Sequence, residues 1–378
     1  MPIKYLLIDD AKASEIGPYA EGVAAKSDAI TIVYQQPVKF EDMAASISKS
    51  SQAGVILDLR LNGQKNEAGY KVTYTAQALA QELRTRMVNG SMTPIPILLW
   101  SADGNIKDFF ENDDTAQDLF DAVHQKDSEV KVKPENIAMQ LVDLAQGYQV
   151  IRRALSHGTK ASNAIHSLLA LKENQQLILD PRISDTINKE PRASIHETAR
   201  FILRELVLVT GPLIDEATLA ARLGVDIKKS KDWPKLLEEI AGKISYQGVF
   251  SKAWPRWWAA KLEQWWETSL KNEESLRALS AEARVKYLKK ATKIKHISAA
   301  KPIEDGNSDK FWTICQATKR ALDPRDGLRA SERNREPWQD LSYLSVNSVL
   351  NRDAHKQGYR IHALEQDRFK EIRTSDPD

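Results

Sequence analysis

The chain has 378 residues, 42% hydrophobic and 28% charged, enough for two or three domains with apolar cores. Its one cysteine, Cys315, excludes an intramolecular disulfide framework, no run reaches the roughly 18 to 20 apolar residues of a membrane span, and Asp9 and Asp10 come too early for a secretory signal. A soluble, cytoplasmic protein with no membrane partner is expected. The formal charge of +2 hides an asymmetry: residues 1–150 carry 14 Lys+Arg against 21 Asp+Glu (14 − 21 = −7), and the remainder 40 against 31 (40 − 31 = +9). Opposite charge in the two parts points to two functional regions.

In chain order, strand-length apolar runs cover Ile3–Asp10, Ala29–Gln35, Gly54–Leu59 and Ile95–Ser101, with Asp118–Asp127 as a weaker fifth. Stretches with helical spacing lie between them at "KFEDMAASISKSSQ" and "KVTYTAQALAQELRTRM". Apolar strands alternating with helices predict a parallel sheet covered on both faces, with ligands beyond the carboxyl ends of its strands. The polar residues fall there. Asp9 and Asp10 end the first run, Asp58 the third, Ser101 the fourth and Lys126 the fifth. Three carboxylates repel one another unless a hard cation sits among them, and oxygen ligands suit Mg²⁺. A lysine supplies a point charge for a phosphate oxygen, and a hydroxyl a donor. The set suits a site where a carboxylate becomes an acyl phosphate.

The motifs "IDD", "LDLRL", "WSA" and "HQKD", in this order over a third of the chain, resemble the receiver domains of two-component response regulators. The resemblance implies a flavodoxin-like, doubly wound five-stranded parallel sheet over residues 1–133. It makes Asp58 the phosphoacceptor for a histidine kinase. Asp10, Asp58 and the backbone carbonyl of Arg60 would hold Mg²⁺ directly, and Asp9 through water. Lys126 would neutralise the phosphoryl group, and Ser101 would turn toward it. Departures are Val123, where a switching aromatic is usual, Asp127 in place of a proline, Asn62 where a proline is common, and extra residues between Asp58 and Ser101.

"KPENIAMQLVDLAQGYQVIRRAL" follows, with Ile137, Leu141, Leu144, Tyr148, Ile151 and Leu155 stepping by 4, 3, 4, 3, 4. This predicts a connecting helix within 134–171, either a homodimeric coiled coil through 137–155 or intramolecular packing. Residues 172–378 read as a mostly helical output or interaction region. Ser194 and Glu197 form a capping box. "LAARLGVD" resembles the core of a helix-turn-helix, with the next helix and Lys228, Lys229 and Lys231 as its reader. "AWPRWWAAKLEQWW" places Trp254, Trp258, Leu262 and Trp265 on one helical face with Trp266 beside it, and Trp257 about a quarter-turn away either as a packing anchor or as a base-stacking surface. Arg320, Arg325, Arg329, Arg333 and Arg335 lie among acids. No catalytic constellation or metal spacing is visible after residue 156. The chain therefore reads as α/β followed by all-α: a receiver signalling through its helical region to an effector protein. The alternatives are a phosphate sink, in a pathway like those of phage-defence operons, and a DNA-binding regulator that contacts nucleic acid.

Overall fold

The computed structural model describes residues 2–101, 118–126, 132–156, 161–189, 194–269, 274–303, 306–332 and 334–375. The five apolar runs become β1 (Ile3–Ile8), β2 (Ile30–Gln35), β3 (Gly54–Asp58), β4 (Ile97–Ser101) and β5 (Ala122–Gln125). They pair in parallel in the order β2-β1-β3-β4-β5, the flavodoxin-like doubly wound order. Alternation along each strand sends side chains to opposite faces. Leu6, Ile8, Val55, Leu57, Ile97 and Leu99 join a core with α2 (Phe40–Lys49) and α3 (Ala76–Val88). Tyr5 and Trp100 face α1 (Ala13–Ala24) and α4 (Pro134–Ala154). There the Tyr5 hydroxyl donates to the Leu141 carbonyl at 2.7 Å, and Tyr19 meets Trp100 edge-on at 5.1 Å. Burial on both faces is why β3 and β4 carry no polar alternation.

Contacts divide the chain into two units. The first comprises Met1–Lys172, Ser184–Arg204 and Gln247–Trp254; the second comprises Glu173–Ile183, Glu205–Tyr246 and Pro255–Asp378. In the first unit the heptad positions Ile137, Leu141, Leu144, Tyr148 and Ile151 of α4 are all buried. Further around α4 lie α5 (Ala161–Leu168), α6 (Ile195–Ile202) and the segment 247–254. Asp143 of α4 accepts from the backbone N–H of Lys252 at 3.0 Å and of Ala253 at 2.8 Å. Of the two alternatives for the 137–155 seam, its burial supports packing within the chain, since a dimer through it would strip these residues from their own core.

Gly147 marks how closely this packing fits. A Cβ there would lie 2.3 Å from Cε1 of Phe250, which is buried and held at φ 67°. Gly147→Ala should lower stability by about 1–3 kcal/mol through overpacking. Gly22→Ala in α1, where a Cβ meets nothing within 4 Å, should instead raise it by up to about 1 kcal/mol. Urea-unfolding midpoints of the two variants check the contrast.

The second unit holds α7 (Glu216–Leu223), α8 (Trp233–Ile244), α9 (Ala259–Ser269) and α10 (Ala281–Thr292), with short helices toward its end. Small antiparallel pairs join them: β6 (Leu213–Ile214) with β7 (Trp257–Trp258), β8 (Thr313–Ile314) with β9 (Ala321–Leu322), and β10 (Gly327–Arg329) with β11 (Tyr343–Ser345). Trp233, Trp257, Trp265 and Trp266 share its main core. Two expectations are corrected here. Trp258 lies in β7 and Trp254 belongs to the first unit, so the predicted tryptophan face does not form, and Trp257 is too buried to stack on a base. Lys228 and Lys229 sit in a single 3₁₀ turn, Ile227–Lys229, and α8 starts only at Trp233. Its exposed face carries Lys235 and Lys243 beside Glu238 and Glu239, and Lys228, Lys229 and Lys231 precede this helix rather than opening it as predicted. Among the described residues no helix is long and apolar enough to cross a membrane.

Candidate functional site

Parallel pairing brings the strand ends to one edge of the sheet. Asp58 is in register with Trp100 and Ser101 with Gln125, while the Lys126 N–H donates to the Ser101 carbonyl at 2.8 Å. Asp9, Asp10 and Asp58 are all buried and offer carboxylate oxygens within 4.8 Å of one another. Lys126 reaches in from β5, its Nζ 2.5 Å from Asp9 Oδ2 and 2.7 Å from Asp58 Oδ1.

Backbone donors hold each carboxylate in place. The Ala11 N–H donates to Asp9 Oδ1 at 2.9 Å and the Arg60 N–H to Asp58 Oδ2 at 2.8 Å. The Gln64 N–H donates to Asp10 Oδ2 at 2.6 Å, and a Cβ at Gly63 would lie 2.7 Å from the same oxygen. Gly63 and Gln64 escaped sequence reasoning, although the "NG" pair at Asn62–Gly63 is a turn signal that could have drawn attention to them.

Burial pushes the Asp58 carboxyl above its ordinary range, opposed by Lys126 and assisted by the negative charge of Asp9. Burial acts to lower the Lys126 ammonium, but Asp58 and Asp9 outweigh it and hold its affinity for the proton above the ordinary lysine value. Three carboxylates and one ammonium sum to −3 + 1 = −2. A divalent cation would neutralise that, and an all-oxygen donor set suits Mg²⁺. The acidic triad therefore fits such an ion.

Ser101 is 1% exposed, and its Oγ has no hydrogen-bond partner among the described residues. A buried hydroxyl in that state is unsatisfied until an acceptor arrives. Val123 packs against the core on the α2–α3 side. The next residue, His124, faces the other way, its ring 6.4 Å from Trp100. This array of half-buried Tyr19 with buried Trp100 and His124 was also missed, because aromatic residues from three elements carry no shared local spacing. Ala102 and Asp127, flanking the site in sequence, lie outside the described residues.

The chain matches no protein-family model and no curated protein sequence. Among solved structures it is similar to a cysteine-to-serine mutant of RitR, with 9% identity over 50% of this chain and 89% of that one, at a TM-score of 0.30. A cysteine-to-aspartate mutant of RitR gives 12% identity over 51% and 89%, at 0.31. NtrX from Brucella abortus in complex with ADP gives 15% identity over 66% of this chain and 57% of that one, at 0.26.

Proposed function

We propose that the chain is a receiver-type response regulator that accepts a phosphoryl group on Asp58 from the phosphohistidine of a histidine kinase. The supporting observation is the convergence of Asp9, Asp10, Asp58 and Lys126 at the carboxyl edge of a β2-β1-β3-β4-β5 sheet. Asp9, Asp10, Asp58 and the Arg60 carbonyl would hold Mg²⁺, which when bound supplies positive charge to the transferring oxygens. The ionised Asp58 carboxylate attacks phosphorus. A P–O bond forms, the P–N bond to histidine breaks, and the departing nitrogen keeps the electron pair and takes a proton. Lys126 moves from Asp58 Oδ1 to an oxygen of the new acyl phosphate, and the unpartnered Ser101 hydroxyl donates to another.

Residues 1–133 form the phosphoacceptor part in this reading. Helix α4 with its partners in the first unit extends it, and the mostly helical second unit carries the output to an effector protein. One observation favours a second reading, a phosphate store: Val123 supplies no aromatic ring to relay occupancy of Ser101. Incubation with acetyl phosphate or a phosphorylated histidine kinase and Mg²⁺ should label the protein, and Asp58→Asn should reduce labelling at least 100-fold. Absence of labelling in the parent chain would overturn the proposal. If labelling leaves the proteolytic pattern of residues 205–375 unchanged, the store replaces the output reading.

A further inference from the structure

The second unit contains a basic cleft of about 500 Å³ that the proposed phosphoryl chemistry does not use. Three backbone segments build it. Helix α7 ends at Gly224, whose φ of 71° turns the chain out of the helix. The following residues are laced to a second segment: Val225 pairs with Ala299, the Asp226 N–H donates to the Ser298 carbonyl at 2.9 Å, and the Ala300 N–H to the Gly224 carbonyl at 2.8 Å. The third segment is the turn between β8 and β9. It is closed by the Cys315 N–H to the Arg320 carbonyl at 2.9 Å and the Lys319 N–H to the Cys315 carbonyl at 2.8 Å, with Lys319 at φ 55°.

These segments bring Lys228, Lys229, Lys301, Lys319 and Arg320 around a floor of small apolar side chains that includes Ala220, Ala221 and Val225. The lining contains one acid, Asp226, so its formal charge is 5 − 1 = +4. Asp226 is itself engaged, capping the 3₁₀ turn at Lys229 N and lying 3.4 Å from Lys229 Nζ. Among the described residues the Lys319 ammonium donates to the neutral Gln316 and to no carboxylate. Lys228, Lys301 and Arg320 are exposed and have no carboxylate partner among the described residues. Most other surface lysines that pair do so with an acid one helical turn away.

Like charges held together without counter-charge favour a polyanion, which neutralises them and releases its own counterions. The volume exceeds that of a single phosphate and matches a nucleotide-sized group. Small apolar side chains leave a surface on which a sugar or base face can lie. We propose that this cleft binds the phosphates of nucleotides, with Lys228, Lys301 and Arg320 as the phosphate-contacting cations. The cleft belongs to the second unit, and its residues take no part in the chemistry proposed at Asp58.

Fluorescence anisotropy of the full chain with a labelled 20-nucleotide single strand, titrated at several salt concentrations, is the test, with ATP and inorganic phosphate as competitors. Lys228→Glu/Lys301→Glu should weaken binding at least 10-fold and lower the log–log salt slope by about 1.4, from roughly 0.7 per phosphate contact on a single strand. Lys228→Gln/Lys301→Gln should give the same slope change with a smaller loss. Lys289→Glu/Lys290→Glu, outside the cleft, should stay within about twofold of the parent. Displacement by millimolar ATP but not by inorganic phosphate assigns the site to free nucleotides; persistence of the strand assigns it to nucleic acid. Unchanged affinity and slope in the Lys228/Lys301 variants, or no binding of strand or ATP at low salt, would overturn the proposal.

Discussion

Asp121→Ala should destabilise the first unit by about 3–5 kcal/mol, the cost of leaving a buried charge without its partner. Asp121 lies just before β5, at the edge of the sheet opposite Asp58. Its Oδ2 accepts from Arg84 Nη2 and from the Ile97 N–H, each at 2.8 Å. Oδ1 accepts from the Tyr148 hydroxyl at 2.7 Å. Burial acts to raise the Asp121 carboxyl, but Arg84, His196 and these hydrogen bonds hold it below its ordinary value. Arg84 is 5% exposed and otherwise donates to the backbone carbonyls of Leu119 and Ile95, the Tyr148 hydroxyl and the Met87 sulfur, so it has no other carboxylate to turn to among the described residues. His196 of α6 completes the network, with Nδ1 2.9 Å from the Tyr148 oxygen and Nε2 3.1 Å from the Asp118 carbonyl. One cluster thus ties α3, β5, α4 and α6 together. Replacing the charge pair with apolar residues, Arg84→Met/Asp121→Leu, should restore most of the loss, because neither charge is then stranded. Urea unfolding of the single and double variants checks this. A loss below about 1 kcal/mol for Asp121→Ala would show that the pair carries little of the unit's stability.

The parallel sheet was legible because its strands are apolar on both faces and stop abruptly on polar residues. Asp58 and Ser101 end such runs, and that pattern requires no long-range knowledge. The loop that closes over Asp10 was not legible: the Gln64 N–H reaches it from 54 residues away, and nothing local specifies that approach. Local signals worked where local physics decides, as at Ser194, whose Oγ accepts from the Glu197 N–H at 3.1 Å to start α6. They failed where tertiary pairing intervenes. The spacing from Trp254 to Trp265 is helical, yet Trp257 and Trp258 are drawn into a strand by Ile214 and Leu213, more than 40 residues earlier. The Asp226 cap begins helical structure at Ile227, but Ser230 leaves it at φ −108° and ψ 90°, delaying α8 to Trp233. The α4 heptad is genuine periodicity; what the sequence left open was whether its partner is another chain or the sheet it follows.

Acid should begin to destabilise the first unit below about pH 6.5, above the range in which ordinary carboxylates titrate, because burial opposes the charged form of two histidines. Burial first, and then the nearby Arg84 charge, brings His196 down from 6.5 to about 3, against the opposing pull of the Asp121 carboxylate and the Asp118 carbonyl. Burial alone brings His124 down to about 4. A depressed folded-state value means that the unfolded chain binds the proton first. The associated stability is complete above pH 6.5 and is lost as pH falls, toward 4 for His124 and toward 3 for His196. At about 1.36 kcal/mol per unit, His124 accounts for about 3 kcal/mol, a large share of the stability of a typical domain. Asp58 works in the opposite direction, since its raised value makes its protonated form more favourable in the folded state as pH falls. Asp121 adds to the histidines only below its ordinary carboxylate range. His124 gives the cleaner test: its Nε2 has no hydrogen-bond partner among the described residues, and its ring packs against Trp100, so His124→Phe strands no polar group. That variant should match the parent within about 1 kcal/mol at pH 7.5 and unfold at a lower pH, with a shallower decline in melting temperature between pH 6.5 and 4. Identical declines in the two proteins would mean that His124 takes up its proton without opening the fold, and the acid sensitivity would then have to come from His196.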